Sequence, residues 1–499
     1  MIYVEKINET YFRILAEPHI RQEIYEEFTI TVPNAKYLYV GKSRGKWDGK
    51  VRLYNKRYNT LYVGLYRHLI EFAKRRNYNI TFSSNCVGLL NSFSLVEGKE
   101  YLDSLNLCSN GKPIQFRDYQ VVGFTKAIRY KRLLILSPTA SGKSALIYAI
   151  SRYLLDKDCK RGLILVPNVS LVEQLYKDFE DYSNNTWDVE KNCYRIYGYG
   201  GVDVYNNKPI IISTWQSLYK LDPTYFHKFD FVIGDEAHLY HANSLKTIMS
   251  NVKNASYRIA TTGTLQDTKA HNLSIQGLFG PVSKLTTTKQ LMDKGYVSEL
   301  TIKNITLKHP SKYCKLRSYR DEIEFLCGNI KRNDFIKNLA LSLKGNTLVL
   351  YQYVKMHGSI LYDIINTKIS DMKIDRKIYF VHGNVDVDDR EFIRSIVEKE
   401  KDAIIVASYG TFSTGINIRN LHNVIFASPS KSKIRVLQSI GRSLRLGDNK
   451  DSATLYDISD ILHSGKTPNV TYSHYLERRK IYEEEEFKVS NYTVEVQYE

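Results

Sequence analysis

The eight residues Ser137-Pro138-Thr139-Ala140-Ser141-Gly142-Lys143-Ser144 combine small side chains, a glycine, a lysine and a hydroxyl. A loop of this kind turns backbone N–H groups toward an anion, and a helix starting behind it adds its positive end. In that setting Lys143 reaches the β- and γ-phosphates of a nucleotide, and the Ser144 hydroxyl ligates Mg²⁺. The chemistry needs a strand before the loop and a helix after it. The apolar run LLILS at 133–137 and the pattern SALIYAISRYLL meet that need. Ser137 stands where the general pattern has its first glycine, and Gly-Lys-Ser is intact. Pro138, Thr139, Ala140, Ser141, Gly142, Lys143 and Ser144 are therefore expected to bind ATP.

A second group lies 92 residues further on, where FVIG runs into Asp235-Glu236-Ala237-His238. Carboxylates at the carboxyl end of a strand in a parallel sheet lie beside such a loop. Asp235 is expected to hold Mg²⁺ through its water shell, and Glu236 to orient and deprotonate the attacking water. His238 is counted with them. A third group, Gln438-Ser439-Ile440-Gly441-Arg442-Ser443-Leu444-Arg445, sets two arginines three apart, on one face of a helix. Alone, such a pair is more often a solvated face.

These groups need a scaffold, and the flanking pattern predicts one. Short apolar runs at 133–137, 163–167, 210–214, 231–235 and 259–263 alternate with helical segments, which predicts a parallel sheet covered on both faces. The same grammar restarts after about residue 300, with runs at 347–352, 377–383, 403–408, 424–429 and 453–458. The expected fold class is α/β, two tandem parallel-sheet domains behind a small N-terminal α/β domain. The expected boundaries are 1–105, 106–285 and 286–465, with a tail at 466–499 that reads as a charged helix and one last strand. In the first of these, YLYVG and KVRLY read as strands and LYRHLIEFAKRRN as a helix.

Composition narrows the partners. The chain has 499 residues and a formal net charge of +18, from 71 basic and 53 acidic side chains. Such an excess points to a polyanion, though a lysine-rich codon bias gives the same sum. Half of it sits in residues 41–80, where eleven Lys or Arg face Asp48 and Glu71 for a net +9. The six cysteines form no C-x-x-C pair, so neither a zinc cluster nor a disulfide framework is expected. No apolar run is long enough to span a membrane and no secretory leader is visible, which predicts a cytosolic protein.

With these motifs in place the chain resembles the DEAH-spelled superfamily 2 helicases, which are built on two RecA-like domains. Arg117-Asp118-Tyr119-Gln120 is similar to the family's adenine-reading motif, with Gln120 on the base and Arg117 beside it. The segments holding Pro167 and Asn168, and Thr214 and Gln216, resemble those that grip strand phosphates. Thr262-Gly263-Thr264 sits where the superfamily couples hydrolysis to movement. Ser408 to Asn417 resembles a motif for strand and nucleotide contact, which implicates Thr411 and Gly415; Asn417 stands where many relatives have Asp. The resemblance turns Gln438, Arg442 and Arg445 into groups facing the γ-phosphate across an interdomain cleft that ATP closes.

Gly45-Lys46-Trp47-Asp48-Gly49-Lys50-Val51-Arg52-Leu53-Tyr54 narrows the likeness to UvsW-like phage helicases, as do VASYGTFSTGINIRNLHNVI and KSKIRVLQSIGRSLR. Lys46, Trp47, Lys50 and Arg52 are the candidate DNA contacts; Trp47 either stacks on bases or is simply core. The resemblance implies an ATP-dependent DNA helicase acting on branched DNA: forks, four-way junctions and RNA–DNA loops. It further implies branch migration and strand annealing in recombination, repair and replication. The expected cofactors are ATP and Mg²⁺. The expected partners are branched and single-stranded DNA and RNA–DNA hybrids, with the protein a monomer and no membrane involved. The alternatives are a duplex translocase without strand separation, a motor-coupled nuclease subunit, and a binding module with a decayed ATPase.

Overall fold

The computed structural model describes residues 1–33, 48–86, 92–157, 159–196, 203–240, 242–265, 268–314, 318–382, 396–397, 399–414, 420–430, 432, 436–437, 439–441, 444 and 452–498. The chain forms two compact units. The first is Met1–Ser137 with Gly142–Thr286, and the second is Thr287–Glu499 with the loop residues Pro138–Ser141.

The first unit opens with a five-stranded sheet. Its strands are β1 (Ile2–Lys6), β2 (Tyr11–Ala16), β5 (Tyr54–Asn55), β6 (Thr60–Tyr62) and β7 (Ile80–Phe82), in the order β5-β6-β2-β1-β7. A separate ribbon pairs β3 (Thr29–Thr31) with β4 (Lys50–Arg52). Period-two alternation sends Ile2, Val4, Phe12, Ile14 and Leu61 into a small core, closed by the helices Pro18–Glu27 and Tyr66–Arg75. The expected strand YLYVG lies outside the described residues. KVRLY divides between β4 and β5.

A second small ribbon, β8 (Cys108–Ser109) with β9 (Lys112–Pro113), leads into the large sheet of this unit. Its strands are β10 (Arg132–Leu136), β11 (Gly162–Val166), β12 (Cys193–Ile196), β13 (Ile210–Thr214), β14 (Phe231–Gly234), β15 (Tyr257–Thr262) and β16 (Val282–Lys284). All pairings are parallel, in the order β12-β13-β11-β14-β15-β10-β16. Leu133 and Ile135 enter the core on one face and Leu134 the core on the other. Burial on both faces explains why these strands read as unbroken apolar runs. The strands β12 and β16 escaped the sequence reading because each is short and edges the sheet.

The small sheet is anchored to the large one. Arg132 and Arg258 sit opposite each other at the start of β10 and β15. Arg132 donates to the Glu9 carboxylate at 2.8 Å, and Arg258 donates to the Thr10 hydroxyl at 2.7 Å. Arg258 is fully buried and also donates to the carbonyls of Met249 and Val252. Burial alone would raise the Glu9 carboxyl, but Arg132 and Lys6 outweigh it and hold it below the usual range. Nearby, Gly64 lies so close to the helix Lys269–Phe279 that a Cβ would fall 2.1 Å from the Gln276 carbonyl.

The second unit repeats the parallel design. Its strands are β17 (Glu299–Lys308), β18 (Thr347–Tyr351), β19 (Ile378–Val381), β20 (Ile404–Ser408), β21 (Asn423–Phe426), β22 (Ser452–Ile461) and β23 (Lys488–Glu495), in the order β19-β20-β18-β21-β22-β17-β23. The C-terminal helix Val470–Glu484 is tied to the sheet through Arg478, which donates to Asp457 at 2.7 and 2.8 Å and to the Ser430 carbonyl. Tyr482 completes the cluster from the same helix. Because both charges are buried, Arg478→Ala leaves Asp457 uncompensated. It is expected to cost about 3–5 kcal/mol, read as an earlier chemical-denaturation transition of the second unit. An unchanged transition would show the pair to be dispensable.

Candidate active site

The sheet order decides what the motifs can do together. Strands β14 and β10 flank β15, so the acidic strand end and the phosphate loop are two strands apart, roughly 10 Å at ordinary strand spacing. The end of β15 fills the space between them. There the Thr261 hydroxyl donates to Asp235 at 2.6 Å, and the Ser137 N–H donates to the Thr262 carbonyl at 3.0 Å.

The loop leaves β10 and enters the helix Lys143–Asp156 at its first residue. Ala140 and Gly142 have positive φ, 65° and 78°, the local curl from which anion-binding backbone concavities are made. At Gly142 the glycine is required, since a Cβ would also fall 2.4 Å from the Gln120 amide nitrogen. Gln120 itself is buried. Its amide accepts from the Arg117 N–H at 2.8 Å and donates to the Gly142 carbonyl at 3.3 Å. The expected base-reading segment is thus braced against the phosphate loop. The Lys143 ammonium donates to the Ser137 carbonyl at 3.2 Å, and the Ser144 hydroxyl shares a 2.8 Å hydrogen bond with Tyr182.

Asp235 and Glu236 follow β14. Burial pushes the Asp235 carboxyl above its ordinary range and Glu236 adds to the rise, while Lys143 and the Thr261 hydroxyl oppose it. A carboxylate so placed gains from any cation brought beside it. Glu236 turns the chain at φ 49°, a left-handed corner that is uncommon for a residue with a side chain. His238 Nδ1 is 3.2 Å from Glu236 Oε2 and 3.2 Å from the Thr262 hydroxyl, which in turn donates to the Thr264 carbonyl. The tetrad is therefore wired to the Thr262-Gly263-Thr264 segment through His238.

The expected strand grips also assemble. β11 and β13 are paired neighbours, and at their carboxyl ends Gln216 donates to the Pro167 carbonyl at 3.3 Å. Asn168 caps the helix Val169–Ser183, and the Thr214 hydroxyl is 2.9 Å from that of Ser217. In the second unit Thr411 is buried and bonded to Ser408 at 2.7 Å. Lys50 and Arg52 lie on the exposed strand β4, with Arg52 paired to Asp48 and bonded to the Tyr25 hydroxyl. Lys46, Trp47, Gly415, Gln438, Arg442 and Arg445 lie outside the described residues. Sequence reasoning missed Thr261 and Tyr182. Two threonines closing an apolar strand were the available signal for the first, and Tyr182 left none.

Among the described residues no group of three His, Cys, Asp or Glu side chains is placed to hold a metal. Ser144 and Asp235 supply one hydroxyl and one desolvated carboxylate. That sparse oxygen set suits Mg²⁺, which keeps several waters and binds chiefly through one or two carboxylates and substrate phosphates. Among the described residues no helix is long and apolar enough to cross a membrane.

Comparison with known proteins gives a consistent result. Residues 113–267 match the family described as type III restriction enzyme, res subunit, and residues 331–447 match the helicase conserved C-terminal domain. The ATP-dependent DNA helicase uvsW of Enterobacteria phage T4 is 34% identical over 425 residues, covering 83% of this chain and 82% of that protein. The DNA 3'-5' translocase XPB2 of Sulfurisphaera tokodaii is 25% identical over 383 residues, 70% of this chain and 83% of its own. The crystal structure of T4 UvsW aligns with a TM-score of 0.52 at 30% identity, over 99% of this chain and 100% of that one.

Proposed function

We propose, from the premise that this chain belongs to the UvsW-like superfamily 2 helicases, that it is a DNA helicase directed to branched substrates. Two tandem RecA-like domains and ATP-dependent helicase activity come with that membership. The finer reading concerns which nucleic acid it unwinds and which residues do so.

In this reading the loop backbone and Lys143 hold the triphosphate, and Gln120 with Arg117 address the base. Glu236 orients and deprotonates the attacking water, with Asp235 alongside and His238 passing the state of the site to Thr262. Ser144 and Asp235 would hold Mg²⁺, which when bound neutralises charge on the phosphates. Arg442 and Arg445 stabilise charge in the transition state, with Gln438 beside them. Pro167, Asn168, Thr214, Gln216 and Thr411 belong to the strand grips, and Gly415 to the nucleotide side.

The observation that carries the branched substrate is the N-terminal domain. A motor that tracks one strand has no need of a separate basic sheet domain, yet this one carries net +9 in residues 41–80 and is anchored to the base of β10 and β15. Forks, four-way junctions and RNA–DNA loops offer a second duplex arm for such a surface. Branch migration and reannealing follow from holding two arms at once.

The test is an unwinding panel of fork, four-way junction, RNA–DNA loop and plain duplex, run with the wild type and a Lys46→Gln, Lys50→Gln, Arg52→Gln variant. The branched members are expected to be unwound in preference to plain duplex. If all three side chains touch phosphates, the log–log salt dependence of binding flattens by roughly two to three units in the variant. An unchanged slope with unchanged junction unwinding would make the basic window a solvated face.

A further inference from the structure

The face of the N-terminal sheet opposite its core runs from the joint with the large sheet, where the Tyr11 hydroxyl donates to Ser250 at 3.2 Å and Tyr62 packs against the larger core, out to an exposed hairpin that none of the motifs uses. On β2 and β6 the residues Phe12, Ile14 and Leu61 point into the core. Their alternates Tyr11, Arg13, Thr60 and Tyr62 therefore take the other face, with Tyr11 opposite Tyr62 and Arg13 opposite Thr60. The Tyr11 and Tyr62 rings are paired at 5.1 Å. Beside them the β5–β6 hairpin presents Tyr58, 60% exposed, with the Arg57 guanidinium over its ring at 5.4 Å. The hairpin is pinned, because the Asn55 side chain accepts from the N–H groups of Arg57 and Tyr58.

A groove of about 510 Å³ has Arg13, Arg52, Tyr11, Tyr58 and Tyr62 in its walls, and no acidic side chain among its described lining residues. A second cavity of about 290 Å³ lies beside it, with Ile7 and Arg13 in the lining of both and Glu5 and Lys6 in its own. Two adjacent cavities along one sheet face suit a chain-like ligand better than a single small molecule. Aromatic rings interleaved with guanidinium groups supply the two things an unpaired strand needs, a π-face for each base and a cation for its phosphate. Each arginine has one carboxylate near it, Asp48 for Arg52 and Glu5 at 4.0 Å for Arg13, and both side chains remain about half exposed to an incoming anion.

We propose that this groove holds unpaired bases of a DNA strand, stacked on Tyr58, with the adjoining phosphates on Arg13 and Arg52. The inference rests on the reading that the N-terminal domain meets DNA at a branch, and it assigns the sheet face to the single-stranded part of that branch. Base stacking on an aromatic side chain is sequence-tolerant, so the groove would register strand separation and not sequence.

The test uses the full-length chain without nucleotide and two probes, a duplex with single-stranded tails and the same duplex with blunt ends. Tyr58→Ala is expected to weaken binding of the tailed probe by roughly 5- to 150-fold, the span reported by alanine substitution for one stacked base. Tyr58→Phe should restore it, and the blunt probe should be bound as before. Tyr58 is exposed on a hairpin tip, so the variants are expected to keep the wild-type circular dichroism. Ultraviolet cross-linking of 5-iodouracil in the tail should reach the hairpin Asn55–Thr60. An unchanged tailed-probe affinity, or an equal loss on both probes, overturns the stacking site. If a Lys46→Gln, Lys50→Gln variant, which leaves the groove's Arg52 in place, flattens the salt slope while Tyr58→Ala is silent, this inference alone fails. If both variants are silent, it is the DNA-binding role of the domain that fails.

Discussion

Glu236→Gln is expected to lower ATP turnover by about 10²–10⁴ while nucleotide affinity stays nearly unchanged, because the substitution removes a base and keeps the shape. The proposed role falls to Glu236 and not to its neighbour. Asp235 is tied to Thr261 at 2.6 Å and sits with its charge disfavoured by burial. Glu236 stands at a left-handed corner with His238 3.2 Å from its carboxylate. Glutamine keeps that corner and the close approach to His238, but it takes no proton from water. Turnover at saturating ATP and DNA, with affinity from a fluorescent ATP analogue, checks the assignment. Near-normal turnover would remove Glu236 from the chemistry, and a parallel loss of affinity would make it a binding residue instead.

Arg442→Ala is expected to cost still more, on the order of 10³–10⁵ in turnover, with ATP binding largely retained. The argument comes from the sequence, since Gln438-x-x-Gly441-Arg442-x-x-Arg445 repeats the family pattern and Arg442 lies outside the described residues. A cation that meets charge only as it develops stabilises the transition state and leaves the ground state alone. Arg442→Lys should recover little, because an ammonium does not reproduce the planar two-pronged contact. Single-turnover rates beside equilibrium binding separate the cases. A variant that binds ATP weakly but turns over normally at saturation would assign Arg442 to ground-state contact.

How much of this was legible follows from how local each feature is. The phosphate loop and the acidic strand end are runs of contiguous residues after apolar strands, so the strands before Lys143 and Asp235 and the helix that starts at Lys143 were readable from spacing alone. The strands β10, β11, β13, β14 and β15 were readable because both faces are buried. β17 was not: ELTIKNITLK mixes polar and apolar residues, although Asn304 is fully buried and bonded to Asn491 across the sheet. Thr261 acts on Asp235 from a neighbouring strand 26 residues away, and Tyr182 acts on Ser144 from the next helix. Neither relation has a spacing signature. Tyr11 and Tyr62 have no spacing signature either, since only the register of β2 against β6 puts them on one face.

The arginines at the base of β10 and β15 bear on how such a chain can change over generations. An accessory domain joined only by a linker can be lost or exchanged without disturbing its host. Here the host contributes two guanidinium groups to the joint, and the fully buried Arg258 relies on carbonyls and on Thr10 of the accessory sheet, with no carboxylate among its hydrogen-bond partners. Exchange of the N-terminal sheet would take Glu9 from Arg132 and Thr10 from Arg258, leaving two buried guanidinium groups short of partners, which is costly. The pair is therefore inherited as one piece: a graft onto this motor must bring its own equivalents of Glu9 and Thr10, or the motor must first give up its arginines.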